Sequence, residues 1–110
     1  METLQFEFRG AGAEGARASK RGAPVLVGVA ASGNLEVLVE PAALDGACQV
    51  EISTAATGFA AVWRAVLDDF FERAAPADLK FSINDVGATP AVVSLRLDQA
   101  IEEYRARAAG

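Results

Sequence analysis

Two apolar runs, Val25 to Val29 and Leu35 to Val39, flank the short segment Ala30-Ala31-Ser32-Gly33-Asn34. β-Branched residues suit a pleated, half-buried surface. A Gly-Asn pair between two such runs reads as the tight loop of an antiparallel hairpin. Gly33 takes positive φ at no steric cost, and Asn34 tolerates it better than most residues. The arms are predicted over residues 25–31 and 35–40. Pro41 ends the second arm because it offers no ladder donor.

Other segments extend this reading. Residues 2–8 alternate polar and apolar, with Leu4, Phe6 and Phe8 on one face, as a half-buried strand requires. Residues 9–23 are rich in Gly, Ala and basic side chains, show no apolar face, and read as a flexible loop. A further strand is expected over 47–53, with Cys48, Val50 and Ile52 on one side. The period then changes. Phe59, Val62, Trp63, Val66, Leu67, Phe70 and Phe71 recur at helical spacing, which predicts a helix over 57–74 with Thr57 as N-cap and Pro76 at its exit. A short strand over 79–83 follows, then a loop, Asn84-Asp85-Val86-Gly87-Ala88. Thr89-Pro90 supplies a cap and a first-turn proline for a last helix carrying Val92, Val93, Leu97, Ala100, Ile101 and Tyr104. The fold expected is α+β: a mainly antiparallel sheet of about five strands, with two helices packed on one face and residues 1–110 forming a single domain. The opposite face is expected to be wetter, with Leu26, Leu38 or Val27 as its apolar surface.

Composition narrows the function. The chain is 52% hydrophobic over 110 residues, which supports a small core. Its net charge of -5 argues against nucleic acid, whose phosphates it would repel. No apolar run approaches the ~20 residues needed to span a bilayer, and no signal peptide is expected at the start. One cysteine, Cys48, fits a reducing cytoplasm and reads as a small buried hydrophobe.

Several candidate sites dissolve on inspection. The chain has no His, so neither Cys48 nor Ser32 has an imidazole to activate it. Asp68 and Asp69 diverge by roughly 100° around their helix. Asp69 with Arg73, and Glu103 with Arg107, are i,i+4 pairs rather than an acid/base dyad. No His/Cys cluster or Asp-rich loop is spaced for a metal. Gly10-Ala11-Gly12-Ala13-Glu14-Gly15 fits a dinucleotide pattern literally, but the following residues supply neither an apolar-faced helix nor a βαβ unit. Arg17, Lys20 and Arg21 form a basic cluster in an acidic chain, either simply solvated or in contact with phosphates. Asn84 to Gly87 read as backbone geometry, or as a phosphate site if they lie near Ser32. The Ser32 hydroxyl, exposed at a rigid tip, reads from the residues alone as an ordinary solvated turn serine or as a group able to receive a covalent attachment from an enzyme.

The residues around Ser32 carry a family resemblance. Ser32-Gly33-Asn34-Leu35-Glu36-Val37-Leu38-Val39-Glu40-Pro41 resembles the segment around the modified serine in the acyl carrier (delta) subunit of malonate decarboxylase. The opening Met1-Glu2-Thr3-Leu4-Gln5-Phe6-Glu7-Phe8, and the late runs Ile83 to Pro90 and Val92 to Ala100, are similar to that family's two ends. The similarity spans nearly the whole chain and is weakest over 9–24 and 42–75. The citrate lyase carrier is more distantly similar. The resemblance implies a non-catalytic, cytoplasmic phosphoprotein bearing 2'-(5''-phosphoribosyl)-3'-dephospho-coenzyme A on Ser32 through a phosphodiester, with Gly33 and Asn34 beside it. The arm's thiol would carry acetyl and malonyl thioesters. The implied partners are an acetyl/malonyl carrier transferase subunit, the malonyl-thioester decarboxylase subunits, a prosthetic-group transferase and a malonyl transferase, with no metal. Where the family commonly shows Gly before the serine and Asp after the Ser-Gly pair, this chain has Ala31 and Asn34. That loses a charge and eases approach of an anionic donor. Two alternatives stand beside this reading: a citrate lyase carrier using the same arm, and an unmodified protein-binding adaptor.

Overall fold

The computed structural model describes residues 1–9 and 23–109. Arg17, Lys20, Arg21 and most of the stretch read as a loop lie outside the described residues. Five strands, β1 (Glu2–Arg9), β2 (Val25–Gly28), β3 (Asn34–Pro41), β4 (Ala47–Thr54) and β5 (Leu79–Val86), form one sheet in the order β1-β4-β5-β3-β2. Helix α1 (Ala60–Ala74) joins β4 to β5, and helix α2 (Pro90–Ala109) closes the chain. All neighbouring strands run antiparallel except β4 and β5, which are parallel.

Both helices cover the same face of the sheet. Alternation decides which face that is: Leu35, Val37 and Val39 of β3, Phe81 and Ile83 of β5, and Val50 and Ile52 of β4 are buried beneath them. The helical stripes answer with Trp63, Leu67 and Phe70 from α1 and Val93, Leu97, Ala100, Ile101 and Tyr104 from α2. Phe70 and Phe71 meet Phe81 edge-on at 5.7 and 5.3 Å between ring centroids. Phe8 stacks on Phe71 at 4.3 Å, tying the edge strand β1 to α1. Cys48 is fully buried on β4, as its strand position implies. The open face carries Gln5, Glu7, Gln49, Glu51, Lys80, Glu36 and Glu40, and Leu26 there is 58% exposed. Val27 instead packs against the core.

Several boundaries differ from the sequence reading. β1 runs on through Arg9. β2 stops at Gly28, so Val29 to Gly33 form the hairpin loop, and Asn34 is the first residue of β3. Asn34 is absent from the positive-φ residues. Helix α1 begins at Ala60, and Thr57 does not cap it. The Gly58 N–H donates to the Glu2 carboxylate at 3.2 Å, which draws residues 57–58 toward β1 and out of the helix. β5 continues through Asn84, Asp85 and Val86, which read as loop, because β3 and β4 bind that stretch from both sides: Asn34 faces Val86 and Thr54 faces Asp85. At the C-terminus of α1, Ala75 turns left-handed (φ 46°) and its N–H closes on the Phe71 carbonyl at 3.0 Å, just before Pro76.

β5 lies between β3 and β4, so the connection over residues 42–46 must step across two strand spacings, about 9.6 Å. Asp78, 3% exposed, anchors that step. Its carboxylate accepts the N–H groups of Leu44 (3.1 Å) and Gly46 (2.8 Å). Its own N–H and C=O bond Ala47 and Ala42 at 2.8 and 3.0 Å. Its φ is 56°, a region that Asp and Asn enter more readily than Ala. Asp78→Ala is therefore expected to strand two N–H groups and strain the backbone, lowering unfolding free energy by about 2–4 kcal/mol in urea. Asp78→Asn, which keeps both the acceptor and the turn preference, is expected to retain most of the stability.

Candidate functional site

Ser32 occupies the centre of a four-residue turn. The Asn34 N–H donates to the Ala31 carbonyl at 2.8 Å, leaving Ser32 and Gly33 as the two central residues. Gly33 has φ +76°, the value that the third position of a type II turn demands. A second tight closure precedes it, with the Ala31 N–H on the Val29 carbonyl at 2.9 Å. The turn is also fastened to the sheet: the Gly33 N–H donates to the carbonyl of Val86, the last residue of β5, at 2.7 Å. The stretch Asn84 to Gly87 therefore reaches the turn through Val86.

Two residues that sequence reasoning missed complete the support. Gly28 ends β2 with φ +83°, and a Cβ there would overlap the Leu35 carbonyl oxygen and stand 3.3 Å from Cδ of Arg96. Arg96 reaches across from α2. Its Nε donates to Oδ1 of Asn34 at 3.2 Å, and its Nη1 to Oε1 of Gln99 at 2.9 Å. The same Asn34 oxygen accepts the Leu35 N–H at 2.8 Å. Gly28 sits inside the apolar run Val25 to Val29, and nothing local marks it as a site residue. Nothing local announces Arg96, which meets its partner 62 residues away.

Ser32 itself is exposed. Among the described residues, neither its N–H nor its hydroxyl has a hydrogen-bond partner. The backbone around it is fixed while its oxygen is free, which suits a group that another protein must reach. Among the described residues, no base is hydrogen-bonded to it that could make it a nucleophile unaided.

The neighbouring polar groups serve the framework. Asp85, 4% exposed, accepts the Thr54 hydroxyl at 2.8 Å and the Ala88 N–H at 2.9 Å, fixing the bend from β5 into α2. Thr89 caps α2, its hydroxyl oxygen accepting the Val92 N–H at 3.3 Å. With Pro90 lacking an N–H, this helix start has few donors left for an anion. Asn84 donates to Glu36 at 2.8 Å on the open face. Beside the bend, Phe59, Val62, Val66, Ala88, Pro90 and Val93 line an apolar groove of about 310 Å³ between the two helix starts. Asp68 and Asp69 point outward as ion-pair partners of Arg64 (3.0 Å) and Arg73 (2.9 Å), and Glu103 pairs with Arg107 at 3.0 Å. Exposed pairs of this kind contribute ~0.2–1 kcal/mol. Among the described residues, no group of three or more His, Cys, Asp and Glu side chains could hold a metal ion, and no helix is long and apolar enough to cross a membrane.

Comparison with known proteins agrees with this architecture. The family model described as malonate decarboxylase delta subunit (MdcD) matches residues 22–104. The malonate decarboxylase acyl carrier protein of Stenotrophomonas maltophilia (strain K279a) is 63% identical over 102 residues, covering 93% of this chain and 92% of the relative. That of Burkholderia cepacia is 57% identical over 103 residues, 94% of this chain and 90% of the relative. A chain in the crystal structure of a Pseudomonas malonate decarboxylase hetero-tetramer in complex with malonate superposes with a TM-score of 0.81 at 43% identity, over 94% of this chain and 99% of that one. Family model, relatives and superposed structure converge on one conclusion: this chain belongs to the malonate decarboxylase delta subunit family, the acyl carrier proteins of malonate decarboxylase.

Proposed function

We propose that Ser32 is the attachment point of a phosphoribosyl-dephospho-coenzyme A arm, and that the chain is a non-catalytic cytoplasmic carrier of acetyl and malonyl groups. The observation that carries this is an exposed, unpartnered hydroxyl on a turn fastened at both ends, in a chain of the acyl carrier family. The donor chemistry around the turn suits a phosphodiester. Ser32 offers its oxygen and a free N–H, Gly33 and Asn34 hold the backbone still, and Arg96 stands next to Asn34. When bound, the arm supplies a thiol that carries acyl groups as thioesters. The chain supplies the rest: a stiff platform that presents Ser32 to a transferase, and a tether that keeps cargo close to partner active sites. Tethering replaces free diffusion with a high effective concentration. The acyl exchange and decarboxylation then belong to a carrier transferase subunit and to decarboxylase subunits, and arm attachment to a dedicated transferase.

Peptide mapping of protein from a host expressing the whole pathway is expected to find the arm's mass increment on the tryptic peptide containing Ser32. Ser32→Ala is expected to lack the increment, keep its circular dichroism spectrum, and lower malonate decarboxylation by the assembled complex at least ~100-fold. An unmodified wild-type peptide, or full activity in Ser32→Ala, would instead support the adaptor reading. A second variant tests the platform. Gly28→Ala is expected to cost about 1–3 kcal/mol through backbone strain, and to shift the Gly33 and Asn34 amide resonances because the Leu35 carbonyl must move. Unchanged resonances would show that Gly28 does not set the turn.

A further inference from the structure

Among the described residues, three arginines are paired with carboxylates. Arg64 pairs with Asp68, Arg73 with Asp69 and Asp98, and Arg107 with Glu103. Arg96 differs. Its two hydrogen-bond partners are the uncharged amide oxygens of Asn34 and Gln99, and among the described residues no carboxylate pairs with it. The guanidinium keeps its full positive charge within an acidic protein, partly buried against the Ser32 turn.

Its placement is enforced from two sides. Gly28 leaves the space in which the Arg96 side chain lies, since a Cβ at position 28 would come 3.3 Å from its Cδ. Asn34 fixes the Nε end at 3.2 Å. Ser32 and Asn34 are two residues apart, so their Cα atoms are at most about 7 Å apart. Nη2 has no part in either bond. An Arg that bonds neutral amides gains by exchanging one of them for a phosphate oxygen, because charge-assisted bonds are roughly twice as strong and the guanidinium fork matches phosphate geometry.

We propose that Arg96 is the phosphate-contacting residue of this carrier, its guanidinium holding the phosphodiester formed on Ser32. This rests on the assignment of Ser32 as the attachment point. No bond is made or broken by Arg96. It lowers the energy of the anion at the turn, both as the donor approaches and after the arm is in place.

The test uses full-length apo protein, its prosthetic-group transferase and donor, with the wild type, Arg96→Gln and Arg96→Lys compared. Intact mass and peptide mapping establish loading at Ser32 independently of every other readout. On loading, the Arg96 Nε–H cross-peak of the wild type is expected to move, and the phosphorus resonance of the serine phosphodiester is expected to differ between wild type and R96Q. The KM for donor in the loading reaction is expected to rise about tenfold in R96Q, with partial rescue in R96K. Gly33 and Asn34 amide resonances of apo R96Q show whether the turn survives. If it does not, the movement of the wild-type Nε–H signal decides alone. A loaded wild type whose Nε–H and phosphorus signals ignore Arg96 overturns the proposal and leaves the Ser32 assignment standing. A wild type that never gains the increment overturns both.

Discussion

Strand β5 finds hydrogen-bond partners along both edges, β3 antiparallel on one side and β4 parallel on the other. β3 and β4 are consecutive in the chain, yet the gap between them is one strand wide. That gap closes only when α1 has crossed the sheet and returned the chain as β5. Asp78 binds the short β3–β4 connection at one end of the slot. Asp85 binds Thr54 at the other, and the Val86 carbonyl takes the Gly33 N–H. The pose of the Ser32 turn is thus a consequence of β5's register. A slip of one residue would turn Phe81 and Ile83 out of the core, and burial forbids it.

Stiffness and exposure are divided residue by residue around the site. Within three residues of Ser32, the N–H groups of Ala31, Gly33, Asn34 and Leu35 are all bonded. Among the described residues, the N–H and the hydroxyl of Ser32 are both unbonded. Backbone groups left unpaired are costly when buried but cheap in water, so an exposed apex tolerates the unbonded Ser32 N–H. The result is a fixed backbone beneath a hydroxyl that makes no hydrogen bond among the described residues.

Periodicity exposes much of this arrangement and conceals a specific remainder. The alternations in β1, β3 and β4, the apolar stripes of both helices, the Thr89 cap and the fully buried Cys48 are local signals, and they are read locally. Asn84-Asp85-Val86 reads as loop because two polar residues outweigh one apolar residue. The structure makes it strand because Thr54 satisfies Asp85 and Glu36 satisfies Asn84 from neighbouring strands. Thr57 has the chemistry of an N-cap, but Glu2 competes for the segment from the opposite end of the sequence. Gly28 and Arg96 lack a local signature altogether. Each matters through what it meets across the β2–β3 hairpin or α2, and such partners follow from the fold.

Charge distribution gives the site a direction. The open face of the sheet presents Glu7, Glu36, Glu40 and Glu51 around Lys80, and the chain as a whole carries -5. Screening at physiological salt acts over about 8 Å, so an anion at the apex still feels Glu36, two residues beyond Asn34. The helix side offers Arg96, with no carboxylate paired to it among the described residues. An anion placed at this apex would therefore be repelled from the strand face and drawn toward Arg96 on α2, while Gly87 and Ala88 open onto the apolar groove between the helix starts. On the proposed assignment of Ser32, Arg96 is the cation that would let an acidic protein hold an anionic arm at this turn.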